Sequence, residues 1–186
     1  MNAESAQKTK KPSWFENVLD FVEIAVFALV MVAVLFAFFI RVVAVDGDSM
    51  NDTLIHGDNL ILVKAFYTPD YGDIVVISRE GNTPLIKRVI AKENDTIYID
   101  PVTHEVFLND KVLNEPYVHY DNLIYDMKAP VTVPEGHVFV MGDHRNNSYD
   151  SRKESVGCVS VDDIVGKAVW RFLPAESFGG IYDNME

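Results

Sequence analysis

The sequence predicts a mostly β protein: one antiparallel sheet domain behind a single N-terminal membrane-spanning helix. Two observations carry that expectation. From Phe21 to Ile40 the chain reads FVEIAVFALVMVAVLFAFFI, interrupted only by Glu23. As a helix, twenty such residues rise about 30 Å, the thickness of a bilayer's hydrocarbon core. Beyond Arg41 the texture changes to short β-branched segments separated by turn residues, with no amphipathic helical period among them.

Taken in order, residues 1–17 are expected as a cytoplasmic segment, 18–41 as the anchor and 42–186 as an extracytoplasmic β domain. The first thirteen residues are polar and read as disordered, with Lys8, Lys10 and Lys11 just ahead of the apolar run. A cleavable export signal is the competing reading of that run. Such a signal has an apolar core of only about 7–15 residues and a small-residue cleavage site just beyond it, and this chain shows neither. Three lysines precede the helix and an acidic segment follows Arg41, so the positive-inside rule puts the N-terminus in the cytoplasm. Glu23 lies one turn from that end and can snorkel to the interface, or else serve as an intramembrane carboxylate.

Within the domain, Asn59–Lys64, Asp73–Ser78, Leu85–Ala91, Thr96–Ile99, Val106–Leu108, His137–Met141 and Ile164–Phe172 read as strands. Gly57-Asp58, Tyr71-Gly72-Asp73, Gly81-Asn82, Asn94-Asp95, Asn109-Asp110 and Pro134-Glu135-Gly136 supply the turns between them. A chain of 186 residues holds this one domain and its anchor, not a second catalytic domain.

The net charge is −12, and because four acidic and four basic residues precede residue 42, all of that excess belongs to the β domain. A surface of that sign does not track phosphates, which excludes nucleic acid as a partner. Cys158 is the only cysteine, so neither an intramolecular disulfide nor a cysteine metal cluster can form, and it reads as a small core residue. His56, His104, His119, His137 and His144 lack metal-ligand spacing. No metal or cofactor is implied.

Three stretches can carry chemistry. Ser49 stands in Val45–Leu54, a few residues beyond the apolar run, and reads either as a turn serine bonding local backbone or as a nucleophile close to a membrane surface. Met50 and Leu54 in this polar loop are expected to dip towards lipid or to line an apolar cleft. Lys87 lies in a strand whose alternation puts Leu85, Lys87, Val89 and Ala91 on one face. It is either an edge-strand lysine that blocks aggregation or an amine whose pKa falls by desolvation until it can accept a serine's proton. The third stretch runs from Met141 to Arg152. Asp143 and Glu154 have the spacing of a calcium loop, but Arg145 at the third position and Ser148 at the sixth contradict one. So dense a cluster of Asp, Arg, Asn and Ser after a hydrophobic strand instead forms a loop that satisfies its own hydrogen bonds and ion pairs.

An anchor, then Gly47-Asp48-Ser49-Met50 with Thr53-Leu54, then Gly72-Asp73-Ile74-Val75-Val76, then Lys87-Arg88-Val89-Ile90, then Gly142–Arg152: in this order the segments resemble the bacterial type I signal peptidases, from the anchor to about Phe172. The resemblance implies a signal-peptidase-type β domain and a serine endopeptidase of the cell membrane. Its partners would be the bilayer and the signal peptides of exported preproteins, cut after small residues. Ser49 would be the nucleophile and Lys87 the general base. Ser148 would orient the lysine amine, and Asp143, Arg145, Asp150 and Arg152 would hold the site's geometry. Met50 would border the substrate cleft, and the Ser49 backbone N–H would serve the oxyanion, since Gly47 brings no hydroxyl.

Asp52, Glu93-Asn94 and His144 depart from residues common in the family, and Asp52 is expected to be the acid that favours the charged form of the lysine. A catalytically silent relative that assists surface-protein assembly is the alternative, which retention of both Ser49 and Lys87 argues against. Self-cleaving cytoplasmic regulators with the same pair of residues also bind DNA, which the acidic domain does not suit.

Overall fold

The computed structural model of the chain describes residues 13–64, 66–118 and 129–182. Lys8, Lys10, Lys11 and His119 lie outside them. The chain divides into two units, residues 1–38 and 39–186.

Helix α1 (Trp14–Phe39) accounts for the first unit's described residues after Ser13. It begins earlier than the apolar run because Ser13 and Glu16 form a capping box. The Ser13 N–H donates to Glu16 Oε2 at 2.6 Å and the Glu16 N–H to Ser13 Oγ at 3.3 Å, satisfying amides that the first turn leaves without helical partners. Trp14–Val34 has a mean hydropathy of 2.2 and is long and apolar enough to cross a membrane.

In the second unit β1 (Ile40–Ala44), β2 (Asn59–Val63), β3 (Ile74–Arg79) and β4 (Asn82–Lys92) come first. Next are β5 (Thr96–Ile99), β6 (Val106–Leu108), β7 (Lys111–Val112) and β8 (Val131–Thr132), then β9 (His137–Met141), β10 (Val159–Ser160), β11 (Ile164–Leu173) and β12 (Gly179–Gly180). The larger sheet has the order β1-β2-β11-β3-β4-β9-β10, with β12 also on β11, and the smaller one β7-β6-β5-β8. Every described ladder is antiparallel.

Ile40 therefore belongs to a strand and not to the helix. Ile40–Ala44 pairs residue for residue with Val63–Asn59, a long-range ladder that β-branched residues favour and that a continuous apolar run conceals.

β4 lies between β3 and β9, so Lys87 is not on an edge. Leu85 and Val89 pack with Val75, Ile77 and Val140, while Ile86 packs in a different cluster with Leu60 and Ile74. The expected face ends at Val89. Val89 pairs with Val140 and Ala91 with Phe139, leaving Ile90 as an extra residue. That bulge turns Ala91 to the cluster of Ile90, Ile97 and Phe139, against which Cys158 also packs.

Met50 and Leu54 are 1% and 0% exposed, in the cluster of Leu60, Leu62, Ile74, Val76 and Ile86. Met50 is thus a core residue and not a border of the cleft, and neither side chain is free to meet lipid. Burial of each contributes roughly 1.5–3 kcal/mol, and together they pin the loop between β1 and β2 that carries Ser49.

Candidate active site

Ser49 sits in a turn closed by the Asn51 N–H on Asp48 O (3.1 Å) and the Leu54 N–H on Met50 O (2.8 Å). The residue is half-buried. Lys87, 2% exposed, extends from β4 so that Nζ lies 2.6 Å from Ser49 Oγ and 2.9 Å from Ile86 O. As an ammonium it donates to Oγ; as a neutral amine it turns a lone pair towards the hydroxyl proton.

Burial pushes the Lys87 pKa down to about 8, with Arg152 acting the same way and Asp150 and Asp143 opposing. Asp52 is exposed, and the carboxylates that act on the lysine are Asp150 and Asp143, not Asp52 as the sequence led us to expect. Near pH 8 about half of this amine is neutral, against roughly 0.4% of an ordinary lysine.

The loop after β9 surrounds the pair. Gly142 has no room for a side chain: a Cβ there would collide with the Ser148 hydroxyl and the Ser49 carbonyl. Asp143 accepts Arg88 Nε on Oδ1 (2.8 Å) and Arg88 Nη2 on Oδ2 (2.5 Å), with both side chains wholly buried. Thr53 Oγ1 donates to the same Oδ2 at 2.6 Å, which ties the serine loop to this ion pair. Arg88 also donates to Gly72 O (2.8 Å) and lies 4.0 Å from the centre of the Tyr117 ring. His144 donates its N–H to Ser49 O at 3.1 Å, and its ring Nδ1 is 3.1 Å from Asp48 O.

Arg145 donates to Gly142 O (3.0 Å) and grips Glu115 through both terminal nitrogens (2.8 and 2.6 Å). Asp150 accepts Arg152 Nε and Nη2, each at 2.8 Å, together with the Gly142 N–H (2.9 Å) and the Ser148 hydroxyl (2.5 Å). Burial raises the Asp150 pKa, but these donors and the Arg152 charge outweigh it and hold the carboxyl below its usual range. Arg152 Nη1 donates to Arg145 O at 2.8 Å, closing the network. The Ser148 hydroxyl therefore donates its hydrogen bond to Asp150 and not to Lys87 as the sequence led us to expect, and Asp150 in turn acts on Lys87 electrostatically.

An open cleft of about 560 Å³ lies over the pair, with Leu85, Ser148 and Tyr149 among its walls beside Ser49 and Lys87. The structure thus gathers Ser49, Lys87, Asp143, Arg145, Ser148, Asp150 and Arg152 into one hydrogen-bonded and electrostatic neighbourhood, while Met50 lies in the core beneath it. The sequence reading assigned no role to Arg88, Glu115 or Tyr117. Arg88 had a signal, a second cation flanked by Ile86 and Ile90 on an apolar strand. Glu115 had none, because its partner lies 30 residues away along the chain.

The family described as signal peptidase, peptidase S26, matches residues 18–173. A signal peptidase I P of Bacillus subtilis subsp. natto is 34% identical over 91% of this chain and 95% of that protein. A signal peptidase I of Bacillus licheniformis is 33% identical over 92% of this chain and 95% of its own length. A crystal structure of a signal peptidase I from Enterococcus faecalis V583 is 26% identical, covering 55% of this chain and 98% of that one at a TM-score of 0.46.

Proposed function

The chain belongs to the signal peptidase, peptidase S26, family, and on that premise we propose that it is a membrane-anchored serine endopeptidase that removes signal peptides from exported preproteins through a Ser49–Lys87 dyad. The observation that carries the reading is the 2.6 Å approach of a buried, pKa-lowered lysine amine to the Ser49 hydroxyl.

In the acylation step neutral Lys87 takes the Ser49 proton as Oγ attacks the scissile carbonyl, and the Ser49 backbone N–H supports the oxyanion. The Lys87 ammonium then returns the proton to the departing amine, leaving an ester on Ser49 and a neutral lysine. The same amine takes a proton from water as that water attacks the ester, and gives it to Oγ as the signal peptide leaves. Asp143, Arg145, Ser148, Asp150 and Arg152 hold this geometry.

β1 stands at the end of the larger sheet and leads into the serine loop. Its outer edge suits an extended substrate held by main-chain hydrogen bonds. The α1 helix anchors the enzyme in the cell membrane, and Lys8, Lys10 and Lys11 ahead of it favour a cytoplasmic N-terminus and an extracytoplasmic β domain.

Incubating the full-length protein with a preprotein tests the reading. Wild type should release the mature product and Ser49→Ala should not. Equal cleavage by both would overturn the nucleophile, and no cleavage by wild type would favour a catalytically silent module.

A further inference from the structure

Besides the Thr53–Asp143 hydrogen bond, the serine turn is fastened to the loop after β9 at the nucleophile's own backbone by His144. His144 bonds two successive carbonyls, Ser49 O through its backbone N–H and Asp48 O through its ring Nδ1, each at 3.1 Å. Asp48 O also accepts the Asn51 N–H at 3.1 Å, so that carbonyl has two donors from different directions. A carbonyl partner requires Nδ1 to carry hydrogen, which sets the ring's tautomer.

The Asp48 carbonyl shares its peptide plane with the Ser49 N–H. In a trans peptide these two groups point in opposite directions across a plane that resists twisting. Holding Asp48 O on the His144 side therefore turns the Ser49 N–H away from His144. That N–H is the donor the proposed mechanism gives to the oxyanion. We infer that His144 is a positioning residue which aims the oxyanion donor through the Asp48 carbonyl, an inference that rests on the Ser49–Lys87 reading.

Its effect belongs to the transition state. The ground-state carbonyl gains little from an aimed donor, whereas the developing oxyanion gains much. Loss of the ring's hydrogen bond should accordingly lower kcat and leave KM nearly unchanged.

The test compares two side chains of similar shape. In His144→Asn the amide nitrogen falls where ring Nδ1 stands, two bonds from Cβ, and still donates; His144→Leu puts a methyl there. Steady-state cleavage of a peptide spanning a signal-peptide junction is measured with the full-length chain in detergent. Removing an oxyanion donor outright costs about 10²–10³ in kcat, so a misaimed one should cost less. His144→Leu should lose about 10- to 100-fold in kcat with KM within about twofold, and His144→Asn should stay within about threefold of wild type.

Equal kcat for the Leu variant and wild type, equal losses in both variants, or a loss confined to KM would overturn the inference. Should the Leu variant fail a urea-unfolding control, the Asn variant alone decides, since a tenfold loss there contradicts the donor role. Ser49→Ala runs alongside. Cleavage by Ser49→Ala would sink the dyad itself, whereas an inactive Ser49→Ala beside a fully active His144→Leu would sink only the role of His144.

Discussion

Arg88 follows Lys87 directly on β4, and it grips both carboxylate oxygens of Asp143 with neither side chain exposed. Two adjacent cations of one strand thus reach opposite faces of the sheet with different consequences. Arg88 is charged, paired and stacked on Tyr117, and it braces the serine loop through Thr53 and Asp143. Lys87 has no such carboxylate in hydrogen-bond contact, and burial leaves it with a lowered pKa.

Removing one partner of the Arg88–Asp143 pair leaves an uncompensated buried charge. Asp143→Ala should cost about 3–5 kcal/mol, while the double replacement Arg88→Met with Asp143→Leu should recover most of that loss. Urea unfolding of the full-length chain and its variants in detergent measures both. A loss under 1 kcal/mol for Asp143→Ala would contradict the pairing.

Lys87 itself should destabilise the fold at neutral pH. Its folded pKa is about 8 and its unfolded pKa about 10.4, so between those values the unfolded chain binds more protons and stability rises with pH. The penalty, on the order of 3 kcal/mol, is fully present below about pH 8 and gone above about 10.4. Lys87→Met, which also gives up the bond to Ile86 O, should therefore be inactive yet more stable than wild type by about 1–3 kcal/mol at pH 7. That advantage should shrink as pH rises through the window. A less stable Met variant at pH 7 would contradict the desolvation account.

The acid limb of the kcat/KM profile should report the free enzyme's lysine, with a midpoint at about pH 8. Asp150 favours the ammonium form and Arg152 opposes it. Asp150→Asn removes the first influence and leaves the second unopposed, so the limb should move to lower pH. Asp52→Pro should leave it in place. A limb that moved with Asp52, or rose with Asp150→Asn, would show that other charges set the base.

The strands of the β domain were legible because alternation and turn residues are local properties, and Thr96–Ile99, Val106–Leu108 and His137–Met141 have the same bounds in the structure. β1 was hidden because Ile40 closes the apolar run and the strand's status depends on a ladder with β2. Ser49, Lys87 and the loop from Gly142 to Arg152 stood out by residue type and order, but not the direction of their contacts. Met50 shows the limit: beside Ser49 in sequence it looked like a cleft residue, and only the three-dimensional packing reveals it as core. Glu115 and Tyr117 reach Arg145 and Arg88 by long-range folding that no local pattern records.

The central claim is that Ser49 and Lys87 act as one unit, and the most direct test is single-turnover cleavage of a preprotein at pH 8.5 by wild type, Ser49→Ala, Lys87→Ala and the double variant. Each single replacement should lower the rate by roughly 10⁴-fold or more, and the double variant should be no slower than either, because residues that act together do not add. Near wild-type cleavage by Lys87→Ala, or a double variant far slower than both singles, would contradict it.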